Sequence, residues 1–263
     1  MKAFLALLSR LRAKQRAWRT PALSTSILGV VLFAGSVAPV NSAEQSTLQA
    51  GTMAARMAAC TACHGEQGAP GPDAYYPRIA GKPELYLFNQ LVNFRDGYRI
   101  YPPMQMLLQN LSDDYLRDMA RWFSEQHPAY DAPIVPRVAK AMLERGHVLA
   151  LKGDSKAGIP ACIACHGETL TGQQPGVPGL LGIPRDYIAS QFGAWRTHMR
   201  NAAKPDCMAE IAARMTPEDV AAVAVWLSAQ PVPDGGVPAP ASNEPLPMEC
   251  GSHTLDDRPA GEQ

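Results

Sequence analysis

The pentapeptide CTACH at residues 60–64 recurs as CIACH at residues 162–166, and this pair of motifs organises the rest of the chain. Both have the spacing Cys-x-x-Cys-His, which is typical of covalent attachment of a c-type haem. Two thiols three residues apart lie on one helical turn, where each can add to a vinyl group of one haem. The histidine that follows can then supply an axial nitrogen to the iron. A lone Cys-x-x-Cys could be a redox dithiol or half a zinc site, but two copies with a shared downstream pattern favour haem.

We therefore predict two covalently attached haem c groups, each held by two thioether bonds and one axial histidine. The thioether residues are Cys60, Cys63, Cys162 and Cys165, and the axial histidines are His64 and His166.

The second half of the chain repeats the first in more than the attachment motif. Five residues of the first half recur in the second at a constant offset of 101 residues, pairing Tyr86 with Tyr187, Gln90 with Gln191, Phe94 with Trp195, Arg95 with Arg196 and Arg99 with Arg200. A period of about 100 residues indicates duplication of a whole domain, because solenoid repeats are several times shorter.

The second axial ligand follows from the same repeat. Methionine sulfur is the usual partner of histidine in electron-transfer cytochromes c. The first half offers Met104 and Met106, of which Met104 lies seven residues before Leu111. In the second half, Met208 lies seven residues before Met215, the counterpart of Leu111. The shared position selects Met104 and Met208 as axial ligands and leaves Met106 as the alternative.

Several arginines are candidates for binding the haem propionates, because a guanidinium pairs with carboxylates in a fork. The alternative for each of them is a solvated helix face. The candidates are Arg78, Arg95, Arg99, Arg196 and Arg200. The remaining histidines are expected on the surface: His127, His147, His198 and His253.

Apolar periodicity and helix-capping residues predict six helices, at residues 47–59, 84–95, 113–126, 138–151, 185–200 and 218–229. Residues 101–104 contain two consecutive prolines and are predicted to be an extended turn. A Pro-rich linker at residues 127–136 separates the two halves, and the Pro-rich residues 231–249 are expected to lack regular structure.

The N-terminus has the order of a secretory signal peptide. Residues 1–43 contain six basic side chains and no acidic one, and an apolar run at residues 27–40 precedes small residues around Ala43. The alternative is an uncleaved membrane anchor, although a span needs about 20 apolar residues. Either way the haem domains are expected outside the cytoplasmic membrane, in the periplasm. Cys207 and Cys250 could form a disulfide in that oxidising compartment.

The charge of the remainder limits the partners. Residues 44–263 carry 18 basic and 24 acidic side chains. This argues against nucleic acid, which binds basic surfaces, and is compatible with a basic or neutral protein partner.

Together these residues resemble the cytochrome c4 family, exported bacterial dihaem cytochromes c made of two class I domains. In the first half the matching stretches are CTACHGEQG, YPRIAGKPELYLFNQLVNFRDGYR and NLSDDYLRDMARWFS. In the second half they are CIACHG, VPGLLGIPRDYIASQF and MTPEDVAAVAVWLS. The resemblance implies His/Met ligation, by His64 with Met104 and by His166 with Met208, and a role as electron carrier toward terminal oxidases.

The expected fold is all-α, with two tandem class I cytochrome c domains, each a few helices around one covalently bound haem. The predicted domains are residues 44–130 and 131–230, followed by a Pro-rich tail at 231–263. The two haem edges are expected to face each other across the domain interface.

The predicted function is single-electron transfer between periplasmic or membrane-bound redox partners of a respiratory chain. Cys207, the tail and the replacement of Arg78 by Gly179 in the repeat depart from the family pattern. They favour a dedicated partner, so one alternative is the cytochrome subunit of a periplasmic dehydrogenase or oxidase. A dihaem peroxidase-type enzyme is a further alternative, but it would need one haem without a methionine ligand.

Overall fold

The computed structural model describes residues 51–71 and 75–252 of the 263-residue chain. The regular structure of this part is almost entirely helical, with a single pair of two-residue antiparallel strands. The predicted signal peptide or membrane anchor and His253 lie outside it. Within it, no helix combines the length and the apolar character needed to cross a membrane.

The N-terminal half of the described chain contains five α-helices and one 3-10 turn. The helices are α1 (Met53–Arg56), α2 (Ala58–His64), α3 (Glu84–Arg95), α4 (Pro102–Leu108) and α5 (Asp113–Ser124), and the 3-10 turn is Glu66–Gly68. The C-terminal half contains five more helices, two strands and a 3-10 turn: α6 (Lys140–Leu151), α7 (Ile163–His166), β1 (Gly172–Gln173), β2 (Val177–Pro178), α8 (Arg185–Arg196), α9 (Cys207–Arg214), α10 (Pro217–Ser228) and the 3-10 turn Pro233–Gly236.

Each half has its own hydrophobic core, in which the last helix packs on a partner helix. In the N-terminal half α5 packs against α3, and Leu116, Met119, Ala120 and Phe123 of α5 are buried. In the C-terminal half α10 packs against α6 and α8 and is buried on most of its surface. Gly146 of α6 allows the close approach to α10, since a Cβ there would lie 2.3 Å from the carbonyl oxygen of Ala222.

The N-termini of the two last helices are capped as their sequences predict. The Ser112 hydroxyl accepts a hydrogen bond from the amide of Tyr115. Thr216 and Asp219 form a full capping box, in which each side chain accepts from the backbone amide of the other residue. The carboxylate of Asp219 also accepts a hydrogen bond from Nε of Arg145 at 2.7 Å, and this bond connects α10 to α6.

The prediction of an extended turn at residues 101–104 is wrong, because Pro102 and Pro103 begin helix α4. Proline is tolerated in the first turn of a helix, where a backbone N–H has no intrahelical acceptor. Met104 therefore lies on a helix, as Met208 does on α9.

Helix α8 ends at Arg196, four residues earlier than predicted. His198 then adopts a left-handed backbone conformation with φ of 57° and is exposed, as expected. The early end frees the following residues to pair with the N-terminal half. Ile100 donates its amide to the carbonyl of Met199 at 2.7 Å, and Asn201 donates to the carbonyl of Tyr98 at 2.8 Å. The two halves are thus joined by backbone bonds at equivalent positions of the repeat.

The Pro-rich tail is more ordered than predicted. It contains the 3-10 turn Pro233–Gly236, and Ala239 exchanges backbone hydrogen bonds with Gly172 and Gln174. The Cys207–Cys250 disulfide is present and closes a sequence separation of 43 residues. The tail therefore returns to helix α9 beside Met208.

His147 is half-buried and not fully exposed, which corrects its predicted position. Its ring lies on α6 and packs edge-on against Trp226 of α10, with 5.6 Å between ring centroids. The error arose because His147 has no counterpart in the repeat, and a lone histidine carries no periodicity that shows which helix face is buried. His127 is exposed, as predicted.

Candidate haem-binding site

Both attachment motifs end a helix, with the histidine at its last position. His64 ends α2 and His166 ends α7, and each is followed by a glycine with positive φ. At the first of these, Gly65, a Cβ would lie 2.4 Å from the carbonyl oxygen of Ala69, so the chain can leave the helix there only through glycine. None of the four motif cysteines forms a disulfide, so all four are available for thioether bonds.

The two histidines are oriented by the same device in both halves. Nδ1 of His64 lies 2.9 Å from the carbonyl oxygen of Pro77, and Nδ1 of His166 lies 2.7 Å from that of Pro178. A carbonyl can only accept, so Nδ1 carries the proton and Nε2 remains free to bind a metal. Both side chains are buried, at 8% and 7% exposure.

Burial also favours the neutral imidazole that binds iron. It lowers the pKa of His64 and of His166. The hydrogen bond to the proline carbonyl opposes this shift in each case. Nearby cations add to the lowering, Arg99 for His64 and Lys82 for His166.

A cavity of about 1310 Å³ extends through both halves, and the predicted ligands line it. Its walls include the four motif cysteines, both motif histidines, Met104 and Met208. Both methionines are half-buried and pack against the hydrophobic core of their own half. Met106 is 70% exposed and does not line the cavity, so the geometry favours Met104.

Between the two halves the cavity wall carries a buried cluster of arginine, glutamine and tyrosine side chains, which we call the arginine cluster. Arg99 donates to the Gln90 side chain and, across the interface, to Tyr187 and Gln191 at 2.7 Å each. Arg200 donates to Gln191 and, across the interface, to Gln90 and Tyr86. The cluster therefore consists of Tyr86, Gln90, Arg99, Tyr187, Gln191 and Arg200. Three of the five repeated residue pairs therefore lie at the domain interface.

The arginine cluster and its surroundings fit an anionic cofactor. Arg99 and Arg200 are 8% and 7% exposed, and neither forms an ion pair with a carboxylate among the described residues. Each guanidinium stacks on an aromatic residue of the helix that precedes it, Phe94 of α3 for Arg99 and Trp195 of α8 for Arg200. The indole nitrogen of Trp195 is buried without a hydrogen-bond partner and lines the same cavity. Buried cations and an unpaired donor are the groups that haem propionates would satisfy.

Arg95 and Arg196, also predicted for the propionates, have protein partners instead. Each donates to the backbone carbonyl at the turn before the last helix, which is Leu111 for Arg95 and Met215 for Arg196. Arg95 also forms ion pairs with Asp96 and Asp113. These equivalent bonds hold the turn that follows each methionine helix.

Arg78 is buried and directed toward the interdomain linker. Its guanidinium donates to the carbonyls of Pro128 and Ala129 and stacks on the Tyr130 ring, 3.7 Å from its centroid. Its Nε is buried without a partner among the described residues. Arg78 lines the cavity and keeps one donor for a ligand.

No protein-family model matches the chain, but its similarity to known proteins shows its family. A cytochrome c4 from Pseudomonas aeruginosa is 34% identical over 176 residues, which are 66% of this chain and 84% of that protein. The chain belongs to the cytochrome c4 family. A thiosulfate dehydrogenase electron acceptor from Thiomonas intermedia is 41% identical over 175 residues, 66% of this chain and 80% of that protein.

Solved structures agree with this family. The reduced recombinant cytochrome c4 from Pseudomonas stutzeri superposes with a TM-score of 0.57 at 30% identity, covering 66% of this chain and 95% of that one. Thiosulfate dehydrogenase (TsdBA) from Marichromatium purpuratum superposes with a TM-score of 0.59 at 28% identity, but this chain spans only 36% of it.

The predicted all-α fold and the predicted role in electron transfer are confirmed. The chain has the all-α fold of a cytochrome c4, with two class I cytochrome c domains. It is a c-type cytochrome that carries electrons, like its relatives among the cytochromes c4 and the electron acceptors.

Sequence reasoning missed one residue of the site, Lys82. It is 7% exposed, lines the cavity and donates Nζ to the carbonyl of Gly179 in the other half at 3.2 Å. A signal was present, because the matching position of the repeat is an isoleucine, Ile183. Lysine where the repeat has an aliphatic residue marks a position that differs between the halves.

Proposed function

We propose that this cytochrome holds two covalently attached haem c groups with His/Met ligation and accepts electrons from a thiosulfate-oxidising dehydrogenase in the periplasm. The observation that carries the ligation is the cavity shared by both attachment motifs and both repeat-matched methionines. The thioethers are assigned to Cys60, Cys63, Cys162 and Cys165, and the axial pairs are His64 with Met104 and His166 with Met208. Bound haem supplies one-electron chemistry by cycling between ferric and ferrous iron.

The side chains of this cytochrome would contribute fixed ligands and a dry environment. The Nδ1–H of each histidine is held by a proline carbonyl, so the ring cannot rotate away from the metal. Apolar side chains around Met104 and Met208 exclude water, and methionine sulfur raises the reduction potential. Arg99 and Arg200 supply positive charge for the propionates at the interface. The two cofactors would share one continuous cavity.

The partner is inferred from two lines of similarity. Relatives named as thiosulfate dehydrogenase electron acceptors are 41% and 36% identical to the chain, against 34% for the cytochrome c4 of P. aeruginosa. The structure of thiosulfate dehydrogenase (TsdBA) superposes on the same share of this chain as the cytochrome c4 does. Both favour a dedicated dehydrogenase over a general respiratory shuttle, which remains the second candidate.

The ligation is tested by the red absorption band that methionine sulfur gives with ferric haem. We expect the purified oxidised protein to show this band for two haems, and Met104→Ala and Met208→Ala each to remove about half of it. Met106→Ala is the matched control and should leave it unchanged. If the band of the unsubstituted protein has the intensity of one haem or is absent, the proposal is contradicted and an open or bis-histidine iron is favoured.

The partner is tested by mixing the oxidised cytochrome with a purified thiosulfate dehydrogenase and thiosulfate. We expect reduction of both haems at a rate that depends on enzyme concentration, with enzyme lacking thiosulfate as the control. If the enzyme reduces neither haem while respiratory membranes readily oxidise the reduced protein, the general shuttle is the correct function.

A further inference from the structure

Lys82 is a buried cation that crosses from the N-terminal half into the C-terminal half. It follows Gly81, whose positive φ of 70° turns the chain, and it precedes Pro83, the N-cap of α3. Its Nζ donates to the carbonyl of Gly179, and no carboxylate among the described residues pairs with it. An ammonium buried with so little compensation destabilises a fold unless another charge or cofactor completes its surroundings.

The acceptor of this hydrogen bond belongs to the proximal side of the C-terminal haem site. Gly179 directly follows Pro178, whose carbonyl holds Nδ1 of His166 at 2.7 Å. The ammonium of Lys82 therefore lies one peptide unit from the group that fixes this axial histidine. Lys82, Gly179 and His166 all line the cavity.

The C-terminal half has no cation at the position that matches Lys82, and the cations near His64 are Arg99 and Arg78, which directly follows Pro77. The segment Gly81-Lys82-Pro83 matches Gly182-Ile183-Pro184, and both glycines have positive φ, 70° and 66°. Both prolines serve as N-caps, of α3 and of α8. The backbone is thus the same in the two halves, and the isoleucine brings no charge to the proximal side of His64.

We propose that Lys82 raises the reduction potential of the C-terminal haem by placing a positive charge beside it from the other half. The inference rests on the proposed role of His166 as an axial ligand. Ferric haem carries one more positive charge than ferrous haem, so a nearby buried cation disfavours the oxidised form. Burial, and then the neighbouring Arg78, lower the pKa of Lys82 to about 8, which leaves it mainly protonated at pH 7. The charge is therefore present under ordinary conditions.

The test is a spectroelectrochemical titration of the complete holoprotein carrying Lys82→Met. This substitution removes the charge and keeps an unbranched side chain of similar length. We expect the ferric-to-ferrous ratio of the C-terminal haem at a fixed potential to rise about tenfold, a decrease of ~59 mV for one electron. The potential of the N-terminal haem should move less. The two haems are assigned in a Met104→His background, where only the C-terminal haem retains the methionine band.

Two further variants bracket the result. Lys82→Arg keeps the charge and should keep the potential. Ile183→Lys places a cation at the mirror position, on a half-buried side chain, and should raise the potential of the N-terminal haem. It also tests the proposal if Lys82→Met does not fold.

The outcomes that overturn the inference differ from those that overturn the proposed function. An intact two-haem Lys82→Met protein whose C-terminal potential is unchanged, or falls less than the N-terminal one, contradicts the role of Lys82 alone. A haem count of one, or no methionine band from Met208 in the unsubstituted protein, contradicts the proposed ligation and the inference with it.

Discussion

In the N-terminal half, only Met57 separates α1 from α2, the helix that contains the first attachment motif. In the C-terminal half, residues 152–161 separate α6 from the second motif. The two halves also differ around the helix that carries the candidate methionine ligand. The N-terminal methionine helix α4 leaves Met106 and Leu107 exposed, while α9 is joined to the tail by Cys207–Cys250. The halves share the elements that would hold a haem and differ in the contacts around them.

This difference shows what a duplicated cytochrome domain can change. The proline carbonyl on each histidine, the arginine at each turn and the paired arginines at the interface are all kept. The additional contacts belong to the C-terminal half: a disulfide, a close helix crossing and an ion-paired capping box. We infer that these stabilise the C-terminal half independently of the N-terminal one.

The largest expected effect comes from removing the disulfide. Replacing both cysteines, as Cys207→Ala with Cys250→Ala, should destabilise the C-terminal half by about 2–5 kcal/mol, because the tail is no longer tied to α9. Guanidinium unfolding, followed through the methionine–haem band in a Met104→His background, measures that half. An equal loss in a Met208→His background would show that the halves unfold together and would break the comparison.

A smaller loss is expected at the crossing of α6 and α10. Gly146→Ala would bring a Cβ within 2.3 Å of the Ala222 carbonyl, and forcing the helices apart should cost about 1–3 kcal/mol of unfolding free energy. Gly193→Ala in α8 is the matched control, since a Cβ there meets nothing within 4 Å. The control should stabilise by about 0.5–1 kcal/mol through helix propensity. Similar denaturation midpoints for the two variants would contradict close packing at Gly146.

The smallest effect is expected at the N-terminal caps of α5 and α10, whose contributions to stability should depend differently on pH. Burial alone would raise the pKa of Asp219, but the hydrogen bonds from Arg145 and from the Thr216 amide outweigh it and lower that pKa. The ionised Asp219 therefore stabilises the fold above the ordinary carboxyl pKa of about 3.9. This stabilisation is lost as the pH falls through the lower pKa that Asp219 has in the folded state. Asp219→Asn should cost about 1 kcal/mol at neutral pH, and this difference should shrink in acid.

The cap of α5 in the N-terminal half, Ser112, provides the comparison for that experiment. Ser112→Ala removes a hydroxyl that does not titrate, so its cost, also about 1 kcal/mol, should not depend on pH. Thermal unfolding at neutral and acidic pH measures both variants. A pH-independent cost for Asp219→Asn would mean that the carboxylate of Asp219 does not contribute as an anion.

Some features could be read from local sequence because their causes are local. A hydroxyl or carboxylate three residues before an amide specifies a cap, and this predicted the starts of α5 and α10. The same reasoning failed at Pro102 and Pro103, where proline in a first turn permits a helix as readily as it ends one. It also failed at His147, whose burial depends on the contact with Trp226 across two helices.

The arginines show most clearly what the sequence could not predict. The repeat marked Arg95, Arg99, Arg196 and Arg200 as equivalent pairs, but nothing in their spacing separates one pair from the other. Arg95 and Arg196 fold back to turns of their own half, whereas Arg99 and Arg200 reach across the interface.

The amino-acid sequence by itself determined the attachment motifs, the repeat, the methionine positions and the family, because each depends on residue type at fixed spacing. Only the tertiary structure decided which arginines lie at the interface, that the tail returns to α9, and that Lys82 lies against the other half. The physical reason is that electrostatic and packing interactions act through space, between residues whose separation along the chain carries no information about their distance.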